Sequence, residues 1–154
     1  MILYGVNKMK TVYDLMTKDV ITITKDTNLN EIIKIMKEKS IGKLPVIDDA
    51  KIVGVVTRDD LLIKNEKAPM PPVIALNDLF LAFTNNKIFR EKYEKFIAFE
   101  ASGFMRKDFL KVNKETSIEE VITDILEKNY EFALVFEGEK LVGILTKSDL
   151  INSL

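Results

Sequence analysis

Gly54-Val55-Val56-Thr57-Arg58-Asp59-Asp60 and Gly143-Ile144-Leu145-Thr146-Lys147-Ser148-Asp149 are one device written twice, 89 residues apart. Each reads as the end of a buried strand, then a Thr and an Asp three residues apart where the chain turns into a helix. The Gly permits close approach of a ligand or of a neighbouring backbone. Thr-x-x-Asp has two readings. It is an ordinary helix start, in which Thr caps and Asp favours the dipole. It also suits a ribose phosphate, because a carboxylate accepts from vicinal hydroxyls while a Thr hydroxyl and free helix N–H groups suit a phosphate. The second copy shifts the balance toward the ligand.

Working outward, everything from Met16 to Leu61 recurs at the same offset without insertion or deletion. Met105, Asp108, Lys114, Thr116, Val135, Gly143, Thr146 and Asp149 are among the positions identical to their counterparts. Each copy spells the same elements. Lys10 to Met16 predicts a short leading helix, and the β-branched run Val20-Ile21-Thr22-Ile23 a strand. Thr27 is expected to cap a helix with an apolar stripe of Leu29, Ile32, Ile33 and Met36, matched by Ile118, Val121, Ile122 and Ile125. Thr116 with Glu119 forms a capping-box pattern. Gly42 is expected to stop the first of these helices, and Pro45 to place Lys43–Ile47 early or at a sheet edge. Asp48-Asp49-Ala50-Lys51 predicts a hairpin turn into the strand 52–56, and a closing helix follows from Asp59 to Leu62. Two copies are too few for a solenoid, so the repeats are expected to pair about a pseudo-twofold axis. The fold class is α/β (α+β), with repeats at 10–62 and 101–154.

Residues 63–100 exceed a simple linker. Ala68-Pro69-Met70-Pro71-Pro72 predicts a stiff extended run. Phe89, Tyr93, Phe96 and Ile97 predict an amphipathic helix with charged residues outside. The Phe-rich stretch from Phe80 to Phe104 is expected to form a satellite core, or else to cover a ligand cleft or make a dimer contact.

The chain of 154 residues has 23 Lys and Arg against 24 Asp and Glu, so no broad basic footprint invites nucleic acid or an anionic membrane. It contains no Cys and no His. That removes thiol nucleophiles, the usual neutral-pH acid/base and the commonest transition-metal ligands. No apolar run reaches the roughly 20 residues of a membrane-spanning helix, and Met1 to Lys8 is too broken for a signal peptide. The cytoplasm is the expected location. Asp59 with Asp60 and Asp48 with Asp49 offer carboxylate pairs. The first point apart at a helix start and the second read as a turn, so no catalytic residue and no metal site is assigned.

These residues resemble a known family, tandem CBS (cystathionine β-synthase) domains. Val12-Tyr13-Asp14-Leu15-Met16-Thr17 is similar to the family's leading motif, Leu44-Pro45-Val46-Ile47-Asp48 to its central strand, and Gly-x-x-Thr-x-x-Asp in both copies to its nucleotide-contact motif. The resemblance covers roughly 10–62 and 101–150. It implies a pseudo-twofold pair with two clefts between the repeats, homodimerisation, and binding of an adenosyl ligand such as AMP, ADP, ATP or S-adenosylmethionine as regulator. Carried onto this chain, Asp60 and Asp149 hold ribose hydroxyls, and Thr57 and Thr146 meet ribose or phosphate. Adenine contacts fall near Asp19 and Ile21, and near Asp108 and Leu110. Lys43 and Leu44, with Ala133 in the second copy, come from the loop before the central strand, and Arg58 and Lys147 are candidate phosphate charges.

The second copy departs from that pattern. Met105-Arg106 replaces Met-Thr, and Glu131-Phe132-Ala133-Leu134 replaces Gly42-Lys43-Leu44-Pro45. A Glu facing a phosphate repels it, so unequal sites are expected. The leading expectation is a stand-alone sensor that transmits occupancy to an unidentified regulated protein by population shift. The alternative is a ligand-independent dimerisation or protein-interaction scaffold with vestigial clefts.

Overall fold

The computed structural model describes residues 10–62 and 99–153. In chain order the elements are α1 (Val12–Leu15), β1 (Ile23–Thr24), α2 (Leu29–Lys39), β2 (Lys43–Asp48), β3 (Lys51–Thr57), α3 (Arg58–Leu62), α4 (Ala101–Phe104), β4 (Leu110–Asn113), α5 (Ile118–Lys128), β5 (Phe132–Glu137), β6 (Lys140–Thr146) and α6 (Lys147–Asn152). This is the mixed α/β class that the periodicities predict. The Pro-rich run and the amphipathic helix expected between the repeats lie outside the described residues.

The elements gather into two compact units, each with a three-stranded sheet. One unit takes the described residues up to Val20 together with Asp108 onward, and the other takes Ile21 to Lys107. Spatial units and sequence repeats are therefore divided differently. The leading segment of each copy, α1 or α4, sits in the unit built from the strands of the other copy.

In the first unit, Val12 N–H donates to Thr116 O at 2.9 Å, and Thr17 and Ile144 exchange backbone hydrogen bonds of 2.9 and 3.0 Å. In the second unit, Ala101 N–H donates to Thr27 O at 2.8 Å, and Arg106 and Val55 make the matching exchange at 2.8 and 2.9 Å. Each bridge extends an edge strand that would otherwise present unpaired N–H and C=O groups. Val12 and Met16 are buried in a core with Leu110, Val121, Ile125, Val135 and Leu145. Ala101 joins Leu29, Ile32, Met36, Leu44, Val46 and Val56 in the other. Burial of these apolar side chains is the main favourable term in each unit.

Both sheets use one plan. β1 lies parallel to β2 and β2 antiparallel to β3, with β4, β5 and β6 arranged likewise. A bulge recurs in the same place, leaving Val53 and Val142 without a direct partner. The hairpin turn at Asp49-Ala50 is as predicted, with both residues at positive φ, the geometry that matches strand twist.

Several boundaries differ from the sequence expectation. β1 holds only Ile23 and Thr24, whereas its counterpart β4 holds four residues. The cause is Pro45, which lies third in a central strand rather than at a sheet edge. Val55, opposite Pro45, turns its own N–H and C=O toward Arg106. The Pro45–Val55 pair is thus a non-hydrogen-bonded one, and the N–H that Pro lacks is on the β1 side. The ladder to β1 starts only beyond it. In β5, Leu134 stands at that position and pairs with Lys111.

The helix caps shift by one residue. Asn28, not Thr27, caps α2 by accepting from Glu31 N–H at 2.9 Å, and Ser117, not Thr116, caps α5 by accepting from Glu120 N–H at 3.3 Å. Thr27 instead uses its hydroxyl on Thr24 N–H. Gly42 does not stop α2. Ser40 does so in the left-handed conformation, as Asn129 does for α5.

Candidate functional site

The repeated motif forms the same cap in both units. Asp60 Oδ2 accepts from Thr57 N–H at 3.0 Å and from Thr57 Oγ1 at 2.7 Å, while Asp60 N–H returns a bond to Thr57 Oγ1 at 3.2 Å. Asp149 Oδ2 accepts from Thr146 N–H and Oγ1 at 2.8 and 2.9 Å, and Asp149 N–H returns to Thr146 Oγ1 at 3.3 Å. The helix-start reading therefore holds in both copies. It does not exhaust the carboxylate, since every one of these bonds that the carboxylate accepts uses Oδ2.

The two copies part at Oδ1. Asp60 Oδ1 is in direct, charge-assisted contact with Arg106 Nε. Asp149 Oδ1 has no hydrogen-bond partner among the described residues. The residue standing where Arg106 stands is Thr17, bridged to Ile144 as Arg106 is to Val55. Arg106 belongs to the leading segment of the second copy, yet it serves the motif of the first.

The motif glycines are explained by the same segments. A Cβ on Gly54 would lie 2.8 Å from Arg106 O and 2.9 Å from Met105 Cγ and Sδ. On Gly143 it would meet Met16 Sδ, and Met16 Cγ at 2.8 Å. Of the two possibilities left open by the sequence, the close approach is that of a neighbouring segment. Met and Gly form a matched pair in each copy.

Lys43 stands opposite Thr57 at the end of the β2–β3 ladder, and Phe132 stands opposite Thr146. Arg58 N–H donates to Gly42 O at 2.7 Å and its Nη2 to Ile41 O at 3.2 Å, so Arg58 closes the loop before β2. Lys147 N–H reaches Glu131 O in the same way at 3.3 Å. Glu131 and Lys147 are both exposed.

Leu44, Ala133 and Leu110 are buried in the cores, leaving only their backbone groups for a ligand. Ile21 is half-buried against the second core, and Asp19 is exposed in the first unit. Asp108 accepts from Tyr130 Oη at 2.6 Å, a bond that raises the Tyr130 phenol above its ordinary value. Neither Tyr130 nor Arg106 was selected from the sequence as a site residue. Among the described residues, no group of His, Cys, Asp and Glu side chains could hold a metal ion. Likewise, no helix among them is long and apolar enough to cross a membrane.

Fold and motif together define a tandem duplication of one small β-α-β-β-α module carrying a Thr/Asp-capped loop in each copy. The chain belongs to the CBS domain family, whose family model matches residues 12–65 and 101–154. A curated relative, the A-adding tRNA nucleotidyltransferase of Geobacter sulfurreducens, is 26% identical over 147 residues, which are 96% of this chain and 14% of that protein. The chain thus spans about a seventh of that relative's length. The CBS domain of a CBS domain-containing membrane protein from Sphaerobacter thermophilus shares the fold, with a TM-score of 0.79 at 24% identity over 96% of this chain and 89% of that one. The crystal structure of CBSX2 in complex with AMP matches with a TM-score of 0.64 at 25% identity, covering 93% of this chain and 94% of that one.

Proposed function

We propose that this chain is a regulatory module that binds an adenosyl ligand (AMP, ADP, ATP or S-adenosylmethionine) through its duplicated motif and transmits occupancy to a partner protein. The observation that carries the reading is the reserved oxygen of Asp149. The cap engages Oδ2 and leaves Oδ1 to accept hydroxyl donors such as a ribose diol. Family membership and the AMP complex of a relative support the same choice of ligand.

The chemistry is recognition without turnover. The carboxylate accepts from the sugar and orients it, while the Thr hydroxyl, already donating to Asp, holds the carboxylate in one rotamer. In each copy backbone groups meet the base, near Ile21 and Leu44 in the first and near Leu110 and Ala133 in the second, and the family resemblance adds Asp19 to the first set and Asp108 to the second. Lys43, Arg58 and Lys147 supply positive charge for a phosphate. The module works as a homodimer in the cytoplasm and acts on an unidentified regulated protein.

The test is a thermal-shift panel of these four ligands on the purified chain. A selective ligand at about 100 times its Kd stabilises the folded state by about 2.7 kcal/mol. At about 2–4 °C per kcal/mol for a chain of this size, that is a rise of about 5–10 °C. Substituting both Asp60→Ala and Asp149→Ala abolishes the rise. Absence of any rise at millimolar concentration overturns the reading in favour of a ligand-independent interaction scaffold.

A further inference from the structure

We infer that Arg106 sets the ligand preference of the Asp60 motif, holding its carboxylate against a neutral nucleoside and turning to the phosphate when a nucleotide arrives. The inference rests on the adenosyl-binding reading and goes further, assigning different chemical classes of ligand to the two motifs.

Both oxygens of the Asp60 carboxylate are engaged. Oδ2 serves the cap and Oδ1 serves Arg106. Its side chain is only 10% exposed, whereas that of Arg106 is 45% exposed. A buried acceptor is thus held by a donor that can leave at little desolvation cost. To accept a ribose diol, Asp60 must share or release that guanidinium. A nucleoside offers Arg106 nothing in return. A nucleotide carries, on the same sugar, a phosphate that the planar guanidinium can grip with two parallel hydrogen bonds.

The surroundings point the same way. Lys43 and Arg58 flank the Asp60 motif on its own hairpin and helix start. At the other motif the matching positions hold Phe132 and Lys147, Glu131 replaces Gly42, and the neutral Thr17 replaces Arg106. The Asp60 motif therefore carries three cations and the added carboxylate of Asp59, where Ser148 stands in the other copy, against one cation and the added carboxylate of Glu131 at the Asp149 motif, a difference of two cations. The former selects nucleotides, and the latter accepts an uncharged or zwitterionic adenosyl compound.

The experiment is calorimetric titration with adenosine and with AMP. The Asp60 motif is read in an Asp149→Ala chain, and the Asp149 motif in an Asp60→Ala chain. In the Asp149→Ala chain, Arg106→Thr tightens adenosine and weakens AMP, cutting the AMP-over-adenosine ratio about tenfold, the scale of one charge-assisted hydrogen bond. Arg106→Gln moves the ratio the same way. In the Asp60→Ala chain, Thr17→Arg raises the ratio by a similar factor.

A ratio that stays within about twofold in Arg106→Thr, with both ligands still bound, overturns this inference and leaves the adenosyl-binding reading standing. So does loss of both ligands from the Asp149→Ala chain while the wild-type chain binds. Absence of binding in every chain, wild type included, overturns both.

Discussion

Replacing Gly54 by Ala tests the joint between motif and leading segment, and Gly143→Ala is its internal control. At Gly54 the new methyl would meet Arg106 O at 2.8 Å. That carbonyl accepts Val55 N–H at 2.9 Å, and Arg106 N–H donates back to Val55 O at 2.8 Å, so the obstructing atom is pinned backbone. Relief requires the bridge to stretch, which adds part of a hydrogen bond to the overpacking cost, about 2–3 kcal/mol together. At Gly143 the three nearest atoms all belong to the Met16 side chain, which can change rotamer. That substitution costs about 1 kcal/mol. For a chain of this length, thermal denaturation followed by circular dichroism should drop by about 4–12 °C for Gly54→Ala and about 2–4 °C for Gly143→Ala. A double-mutant cycle sharpens the comparison. Met16→Ala removes the three atoms nearest to a Cβ at Gly143, so the pair should be less destabilised than the sum of its singles by about 1 kcal/mol. Met105→Ala leaves the Arg106 carbonyl in place and should rescue Gly54→Ala less. Equal tolerance of the two Gly substitutions, or strict additivity with Met16→Ala, would refute the assignment of these glycines to the leading segments.

Two further outcomes follow from burial and charge. Ile32 is fully buried, so Ile32→Ala should cost about 2–5 kcal/mol. Leu126, on the solvent side of α5 at 72% exposure, should change stability by less than about 0.5 kcal/mol on the same substitution; chemical denaturation separates the two, and similar midpoints would contradict the core assignment. The Lys114–Glu137 pair, 2.8 Å apart, raises the Lys and lowers the Glu through their mutual hydrogen bond. A lowered carboxylate contributes stability above its ordinary 4.5 and loses it as pH falls through the folded value; a raised amine contributes below its ordinary 10.5 and loses it as pH rises through the folded value. The small stability difference between wild type and Lys114→Met should therefore be flat across neutral pH and shrink at both extremes, whereas a pH-independent difference would show that the pair contributes no electrostatic stabilisation.

The repeat, the helical stripes, the hairpin and the Thr-x-x-Asp caps were legible because each is a local pattern. Leu29, Ile32 and Met36 are buried as their spacing requires, and Thr57 and Thr146 bond Asp60 and Asp149 as their separation requires. The misreadings have a common physical form, a choice between neighbours that only a partner strand can decide. Thr27 and Asn28 are both competent caps, and Thr27 is lost to the helix because Thr24 claims its hydroxyl. Val20 to Ile23 has strand composition throughout, but a ladder needs donors on the facing strand, and Pro45 withholds one. Ligand contacts at Asp19, Ile21, Asp108 and Leu110 rest on the family resemblance, because a backbone contact to a base leaves no side-chain pattern in the sequence.

The least legible feature was which copy serves which motif. Met105-Arg106 stands out in the sequence as a departure within the second copy, and read there it bears on the second motif. The exchange of leading segments reverses that assignment: Arg106 bridges Val55 and reaches Asp60, while the ordinary Met16-Thr17 bridges Ile144 beside the Asp149 motif. A substitution in one repeat thereby alters the carboxylate of the other. Because the exchange is reciprocal, a single change in either leading segment makes the two motifs unequal without touching the motifs themselves. That is a short route by which a duplicated module, starting from two identical carboxylates, comes to distinguish two ligands.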